Sequence, residues 1–238
     1  MPANDNKTPT PSLRASAVRS RAAPVYAPPA EPYLKVLHID EDLLAVSKPS
    51  GLLSVPGRGP HLADCVEARA RSIYPDATIV HRLDLDTSGV MVLARNRAAH
   101  RQIGWQFEKR QIEKVYVART WGILRQDAGS VAAPLRCDWP NRPRQIIDQV
   151  HGRAALTAWQ VLDREAHASR VRLMPETGRS HQLRVHMLSL GHPILGDDLY
   201  AHPAALAAAA RLQLHAVSLS LRHPSGGHDL TIEDACPF

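Results

Sequence analysis

Apolar positions along the chain fall into short runs of two periods, and these set out most of the elements. Residues 34–47, LKVLHIDEDLLAVS, read as two short strands around an acidic turn at Asp40–Asp42. KPSGLLSVPGRG (48–59) is a turn-rich loop, 61–73 predicts a helix, and ATIV (77–80) a short strand. GVMVLA (89–94) is an unbroken apolar run suited to a buried strand. Asn96 can cap a helix in which Ala99, Ile103 and Phe107 recur every four residues. IEKVYVART (112–120) alternates, with Val115 and Val117 on one face and Lys114 and Tyr116 on the other.

The second half continues in the same manner. LRCDWPNRPRQ (135–145) reads as an irregular polar-aromatic loop, and 154–162 and 168–174 as strands. Ser180 can cap a helix with Leu183, Met187 and Leu190 on one stripe and Gly191 at its end. His181 and Arg184, three apart, share a different face of that helix. A short alanine-rich helix at 203–211 and a strand at 212–221 follow. Strands and helices mix without regular alternation, so the expected class is α+β with a mixed, mostly antiparallel sheet.

Composition refines this picture in three places. Residues 1–30 hold six prolines and seven alanines without an apolar period, which predicts a disordered arm ahead of a domain at 31–238. That arm has Lys7, Arg14, Arg19 and Arg21 against Asp5 alone, half of the chain's net charge of +6. The rest of the basic excess is local: residues 95–125 carry eight Lys or Arg against Glu108 and Glu113, a patch that suits phosphates and equally a solvated helix face. Cys65, Cys137 and Cys236 are widely spaced with no CxxC, which fits a reducing compartment and argues against a disulfide framework or zinc site. No signal-peptide core and no run of about 18 apolar residues occurs, so a cytoplasmic protein without a membrane segment is expected.

Several chemistries lack their motifs. There is no GxSxG, no HExxH, no Walker loop and no GxGxxG, and His181, His186 and His192 are not at ligand spacing, so no metal or cofactor is expected. What remains is HRLDLDTSG (81–89), KVY (114–116) and TGRSHQLRVHMLSLGHPILGDDLY (177–200). Each sets charged or phenolic groups beside apolar elements. A partly desolvated aspartate kept ionised by an arginine can be a nucleophile. A tyrosine on an open strand face can stack on a base or move a proton. Periodicity does not choose between Asp84 and Asp86.

These stretches resemble the RluA family of RNA pseudouridine synthases. Residues 81–89 match its HRLDxxTSG pattern, Lys114-x-Tyr116 a second motif, 177–200 a third, LQLHA (212–216) a fourth, and KPSGL (48–52) the opening loop. SGLLSVPGR (50–58) and CDWPNRP (137–143) look like the branch that modifies both 23S rRNA and tRNA. The resemblance covers residues 31–238 and implies a catalytic domain with flanking helices around a central RNA-binding cleft, without the S4 domain many relatives carry. It implies conversion of a uridine in folded RNA to pseudouridine without a cofactor, on 23S rRNA and tRNA stem-loops, by a monomer. The motif fixes Asp84 as nucleophile and leaves Asp86 free. Arg184 would pair with Asp84, Tyr116 would stack on the uracil and serve as a base, and Arg82 would fill the space of the flipped base. Trp139, Arg142 and Arg144, with Arg136 beside them, would meet RNA. His81, Leu83, Lys114, Arg179, His181 and Gln182 would line the substrate site, and Thr87, Ser88 and Gly89 would hold the loop. The alternatives are a synthase for other rRNA uridines, a non-catalytic RNA-binding protein, and glycosidic hydrolysis, for which the motifs give no support.

Overall fold

Alternating and continuous apolar runs assemble into one large sheet in the computed structural model, which describes residues 26–238. The expected arm at 1–30 lies mostly outside the described residues. Its last part does not: Tyr26 donates its hydroxyl proton to the Asp64 carbonyl (2.7 Å) and accepts from the Leu53 amide (3.0 Å). Arg69, buried, donates to the carbonyls of Pro29 and Tyr33. The packed body therefore includes Tyr26, ahead of the expected boundary at residue 31.

The strands are β1 (Lys35–Ile39), β2 (Leu43–Lys48), β3 (Thr78–Ile79), β4 (Ser88–Ala94), β5 (Glu113–Trp121), β6 (Ala128–Ala132), β7 (Leu135–Cys137), β8 (Gln145–Ile147), β9 (Leu156–Arg164), β10 (Ala168–Pro175), β11 (Leu214–Arg222) and β12 (Asp229–Glu233). The helices are α1 (Val66–Ile73), α2 (Arg97–Glu108), α3 (Gln182–Ser189) and α4 (Pro203–Ala207). The main sheet runs β1-β2-β4-β11-β5-β10-β9-β6, with β12 on β11 and β3 on β4. All its pairs are antiparallel except β4 with β11. This is the mixed, mostly antiparallel sheet that the sequence predicts.

Position in the sheet explains the patterns. β4, central between β2 and β11, is buried at all seven residues, as its continuous apolar run requires. Asn96 caps α2 by accepting the Ala99 amide at 2.8 Å, and Ala99, Ile103 and Phe107 pack on β4 and β11. The first predicted helix is shorter than 61–73. Pro60–Leu62 form a 3-10 turn, and the Cys65 thiol sulfur accepts the Ala68 amide at the start of α1.

Two expectations need correction. Residues 135–145 are not simply a loop: β7 and β8 pair as a hairpin, Leu135 with Ile147 and Cys137 with Gln145. Strands of three residues are too short to show a period. Ser180 does not cap α3. The cap is His181, in left-handed conformation (φ 53°) without a side-chain cap bond. Leu183 and Met187 enter the core beside Leu173 and Leu214, as the stripe predicts.

Candidate active site

The motif loop runs from β3 to β4, and backbone acceptors hold it. Ser54 Oγ donates to the Leu83 carbonyl (2.7 Å) and accepts the Leu83 amide (3.1 Å). The Thr87 amide closes a turn onto the Asp84 carbonyl. Lys48 Nζ donates to Leu85 O (2.7 Å), Thr87 O (2.8 Å) and Pro49 O (3.0 Å), and Gly51 N also donates to Leu85 O. Ser50 Oγ donates to Asp86 O. Every carbonyl from Leu83 to Thr87 thus accepts a hydrogen bond. Four of the five take it from residues 48–54, the turn-rich stretch whose KPSGL matches the family's opening loop. Lys48 is completely buried, which pulls its pKa down to about 7 although Asp86 and Asp84 pull the other way.

Gly89 follows the loop at φ 113°, where a Cβ would stand 2.2 Å from the Ala216 carbonyl oxygen of β11. A side chain is excluded by strand contact as well as by φ. Ser88 Oγ meets His215 Nδ1 at 2.9 Å and accepts from Arg211 at 3.2 Å, so it does clasp the loop. The Thr87 hydroxyl does not. It is buried without a partner among the described residues, and only the Thr87 backbone holds the loop.

Asp84, Tyr116 and Arg184 open onto one cleft of about 1310 Å³. Tyr116 lies between two apolar clusters, and burial, then the charge of Asp84, pushes its pKa well above the ordinary tyrosine value. A phenol held neutral offers a stacking face and an O–H, and is poorly prepared to act as a base. Arg184 is buried, yet it does not pair with Asp84. Its Nε and Nη2 donate to Asp197 (2.7 and 2.6 Å), and Nη2 also reaches Asp198 (3.1 Å). The acidic pair 13 and 14 positions along the chain takes the guanidinium, and Asp197, fully buried, meets it bidentately. Asp84 acts on Arg184 through its field alone, and among the described residues its carboxylate has no ion-pair partner. Asp86, like Asp84, is half-buried. Burial, then Asp198, raises its pKa, against Arg184 and Lys48.

The other expected substrate residues divide. Arg82, Leu83, Lys114, Arg142, Arg179, His181 and Gln182 line the cleft, and Arg110 and Arg153 join them. Burial, then Arg110, lowers the Lys114 pKa, which marks it as a crowded cation facing inward. His81 lines the cleft, but its Nε2 accepts the Val92 amide (2.9 Å), its ring lies on Phe107, and burial drops its pKa to about 3. Its Nε2 is thus committed to β4, and the ring is held neutral in the cleft wall. Gln182 spends its amide on Thr177, Arg179, Leu156 and Thr157, so it shapes the wall instead of reaching substrate. Trp139 and Arg144 stand outside the cleft lining: Arg142 covers the exposed Trp139 ring (4.8 Å) and Arg144 covers Tyr200 (5.3 Å). Arg136 is tied to Asp148. Within the basic stretch 95–125, Arg95 pairs with Asp76 and Arg119 with Glu165, while Arg110 and Lys114 face the cleft. Among the described residues no group of three or more His, Cys, Asp or Glu could hold a metal, and no helix is long and apolar enough to cross a membrane.

Comparison with known proteins gives the family and the fold. The family described as RNA pseudouridylate synthase matches residues 42–189. A Yersinia pestis protein named dual-specificity RNA pseudouridine synthase RluA is 54% identical over 193 residues, covering 81% of this chain and 94% of its own. A protein of the same name from Escherichia coli K12 is 50% identical over 214 residues, covering 90% and 98%. The structure of human RNA pseudouridylate synthase domain containing 1 superposes with a TM-score of 0.72 at 27% identity, covering 92% of this chain and 87% of its own.

Proposed function

The chain belongs to the RNA pseudouridylate synthase family, and from that premise we propose that it is a dual-specificity enzyme acting on 23S rRNA and on tRNA stem-loops. It is an isomerase of RNA uridine. What supports dual specificity is identity near one half across almost the whole length of relatives so named. In the reaction the bond from uracil N1 to C1′ breaks, the ring turns, and C5 bonds to C1′; C5 loses its proton and N1 ends with one, so the product is an isomer. A stacked base cannot be reached, so the nucleotide leaves the stack at a cost of a few kcal/mol, least in RNA loops.

In this reading Asp84 is the nucleophile, Tyr116 stacks on the uracil, and Arg184 supplies a fixed positive field beside the carboxylate. The observation that carries it is the placement of these three groups in one cleft, with the Asp84 loop anchored at every carbonyl. Arg82, Arg110, Lys114, Arg142, Arg153 and Arg179 give that cleft a cationic rim for phosphates. Arg82, with no carboxylate partner among the described residues, fills the space left by the flipped base. We place the enzyme in the cytoplasm as a monomer, which light scattering would test.

Two experiments decide the matter. RNA labelled with tritium at uridine C5 should release it with the wild type and not with Asp84→Ala, while RNA binding is retained. Release by Asp84→Ala at the wild-type rate overturns the assignment. Pseudouridine mapping in a deletion strain should lose one 23S rRNA site and one set of tRNA sites; loss confined to other rRNA sites overturns dual specificity.

A further inference from the structure

We propose that His181 is a further hydrogen-bond donor to the RNA nucleotide in the cleft, with its proton on Nε2, and that Tyr200 is the positioning residue that fixes it so. The inference rests on the cleft at Asp84 being the reaction site. Its evidence is separate from the motifs and comes from counting protons around one hydroxyl.

Tyr200 Oη has two partners, the Gln145 backbone amide at 2.7 Å and His181 Nδ1 at 2.7 Å. A backbone N–H can only donate, so Oη accepts from Gln145 and has one proton left to give. His181 Nδ1 takes it. Were Nδ1 itself protonated, the hydroxyl proton would have no acceptor among the described residues, on a side chain only 6% exposed. Both groups are in the protonation state this needs. Burial, foremost, pushes the Tyr200 pKa up to about 12. Burial, foremost, lowers the His181 pKa; the charges facing the ring are Asp84, Asp197 and Asp198, which raise it, and Arg184, which lowers it. A neutral imidazole that accepts at Nδ1 carries its proton on Nε2. His181 therefore enters the cleft as a donor, not as a base.

Tyr200 is built to hold this arrangement. Its amide donates to Asp197 Oδ1 (3.0 Å), the same oxygen that receives Arg184 Nη2. Its ring lies 5.1 Å from the Arg184 guanidinium carbon and meets the His181 ring edge-on. It packs with Leu135, Ala155 and Val185, which seats the β7–β8 hairpin on α3. One side chain thus joins the hairpin, the left-handed turn at His181 and the carboxylate that holds Arg184.

A packing role alone predicts that Tyr200→Phe lowers Tm and leaves the imidazole as it was. The test is nitrogen-15 NMR of the histidine rings in the full chain, beside tritium-release kinetics at a temperature where each variant is folded. Wild-type His181 should show the Nε2–H tautomer. Tyr200→Phe should lose that uniform state, and its kcat should fall about tenfold, the size of one ordinary hydrogen bond, with the RNA KM nearly unchanged. His181→Gln, whose amide reaches the Nε2 position, should retain more kcat than His181→Ala. A wild-type Nδ1–H tautomer overturns the proposal, and so does a Tyr200→Phe enzyme with wild-type tautomer and kcat. Wild-type protein that released no tritium would fail the reading of the cleft, while the tautomer measurement would still decide the assignment of Tyr200.

Discussion

Replacing Asp197 by asparagine changes one charge and almost no shape, and its consequence can be worked from the geometry. Asp197 is fully buried and accepts four hydrogen bonds, from Arg184 Nε and Nη2 and from the Leu199 and Tyr200 amides. Arg184 is 3% exposed, so it cannot turn to water. Removing one partner of a buried pair costs about 3–5 kcal/mol. Asp198 remains on Arg184, but it is 61% exposed and screened, so the cost should sit near the lower end, about 3 kcal/mol. In a chain of this size each kcal/mol moves Tm by about 2–4 °C, so Asp197→Asn should melt about 6–12 °C lower. Circular dichroism measures that shift, and tritium release below the melt should fall with it because Arg184 loses its fixed place. The double variant Arg184→Met with Asp197→Asn separates the two effects. It removes both charges while the side-chain oxygen of the introduced asparagine can still accept the Leu199 and Tyr200 amides, so Tm should recover toward wild type while tritium release is lost. A single variant melting within about 2 °C of wild type would refute the ion-pair argument. A double variant melting as low as the single would show that the loss was packing and not an unpaired charge.

Three further outcomes are expected. Asp84→Asn should abolish tritium release, while Asp86→Asn should keep most of it. Because the folded pKa of Asp86 is raised, the folded state holds its proton longer and loses stability as pH climbs through that range, so Asp86→Asn should melt at or above wild type at neutral pH. Gly89→Ala should fail to fold with β4 against β11, since its Cβ meets the Ala216 backbone at 2.2 Å; a soluble variant with wild-type melting would contradict the strand geometry. Lys48→Met strips donors from three carbonyls and should lower Tm at every pH. The lysine pKa is depressed in the fold to about 7 from 10.5, so the unfolded chain binds more protons in that window. The wild type should therefore gain stability relative to Lys48→Met as pH rises from about 7 to 9 in urea titrations, and a gap that narrows would reverse the assignment.

How far the sequence carried follows from the range of each interaction. Local periodicity placed β4, α2 and its Asn96 cap, and the Lys114–Tyr116 alternation, because these depend on neighbours three, four or two residues away. The motif resemblance placed Asp84, Tyr116 and Arg184, and the structure brings them to one cleft. Ser88 and Gly89 were expected to hold the loop, and they do, but the bonds that the opening loop sends to it left no signal. Lys48, Ser50 and Ser54 reach Leu83–Thr87 across 29 to 39 positions and leave no periodic trace. The cap of α3 is His181 rather than Ser180, and His181 in its left-handed conformation is tied to Tyr200, 19 positions on, a contact that local spacing does not show. Arg184 was paired with the wrong carboxylate for the same reason: spacing gives the face of a helix, not the acid that the following loop returns to it.

These supports share a logic. The loop carrying Asp84 is rigid because its carbonyls are bound, not because its carboxylate is. Had Arg184 paired directly with Asp84, the pair would have been stable, but the carboxylate would have had to break a charged hydrogen bond before meeting a substrate. Instead Asp197 and Asp198 take the guanidinium hydrogen bonds, and Asp84 feels a fixed positive field while its oxygens make no ion pair among the described residues. The orientation is set during folding, so little reorganisation remains when the nucleotide arrives. The cost falls on the fold, in a buried ammonium at Lys48, a buried arginine–carboxylate pair and an unpartnered Thr87 hydroxyl. Each would be a liability in a protein selected for stability alone. All three lie around Asp84, and under the proposed reaction a preorganised carboxylate there gives them a use.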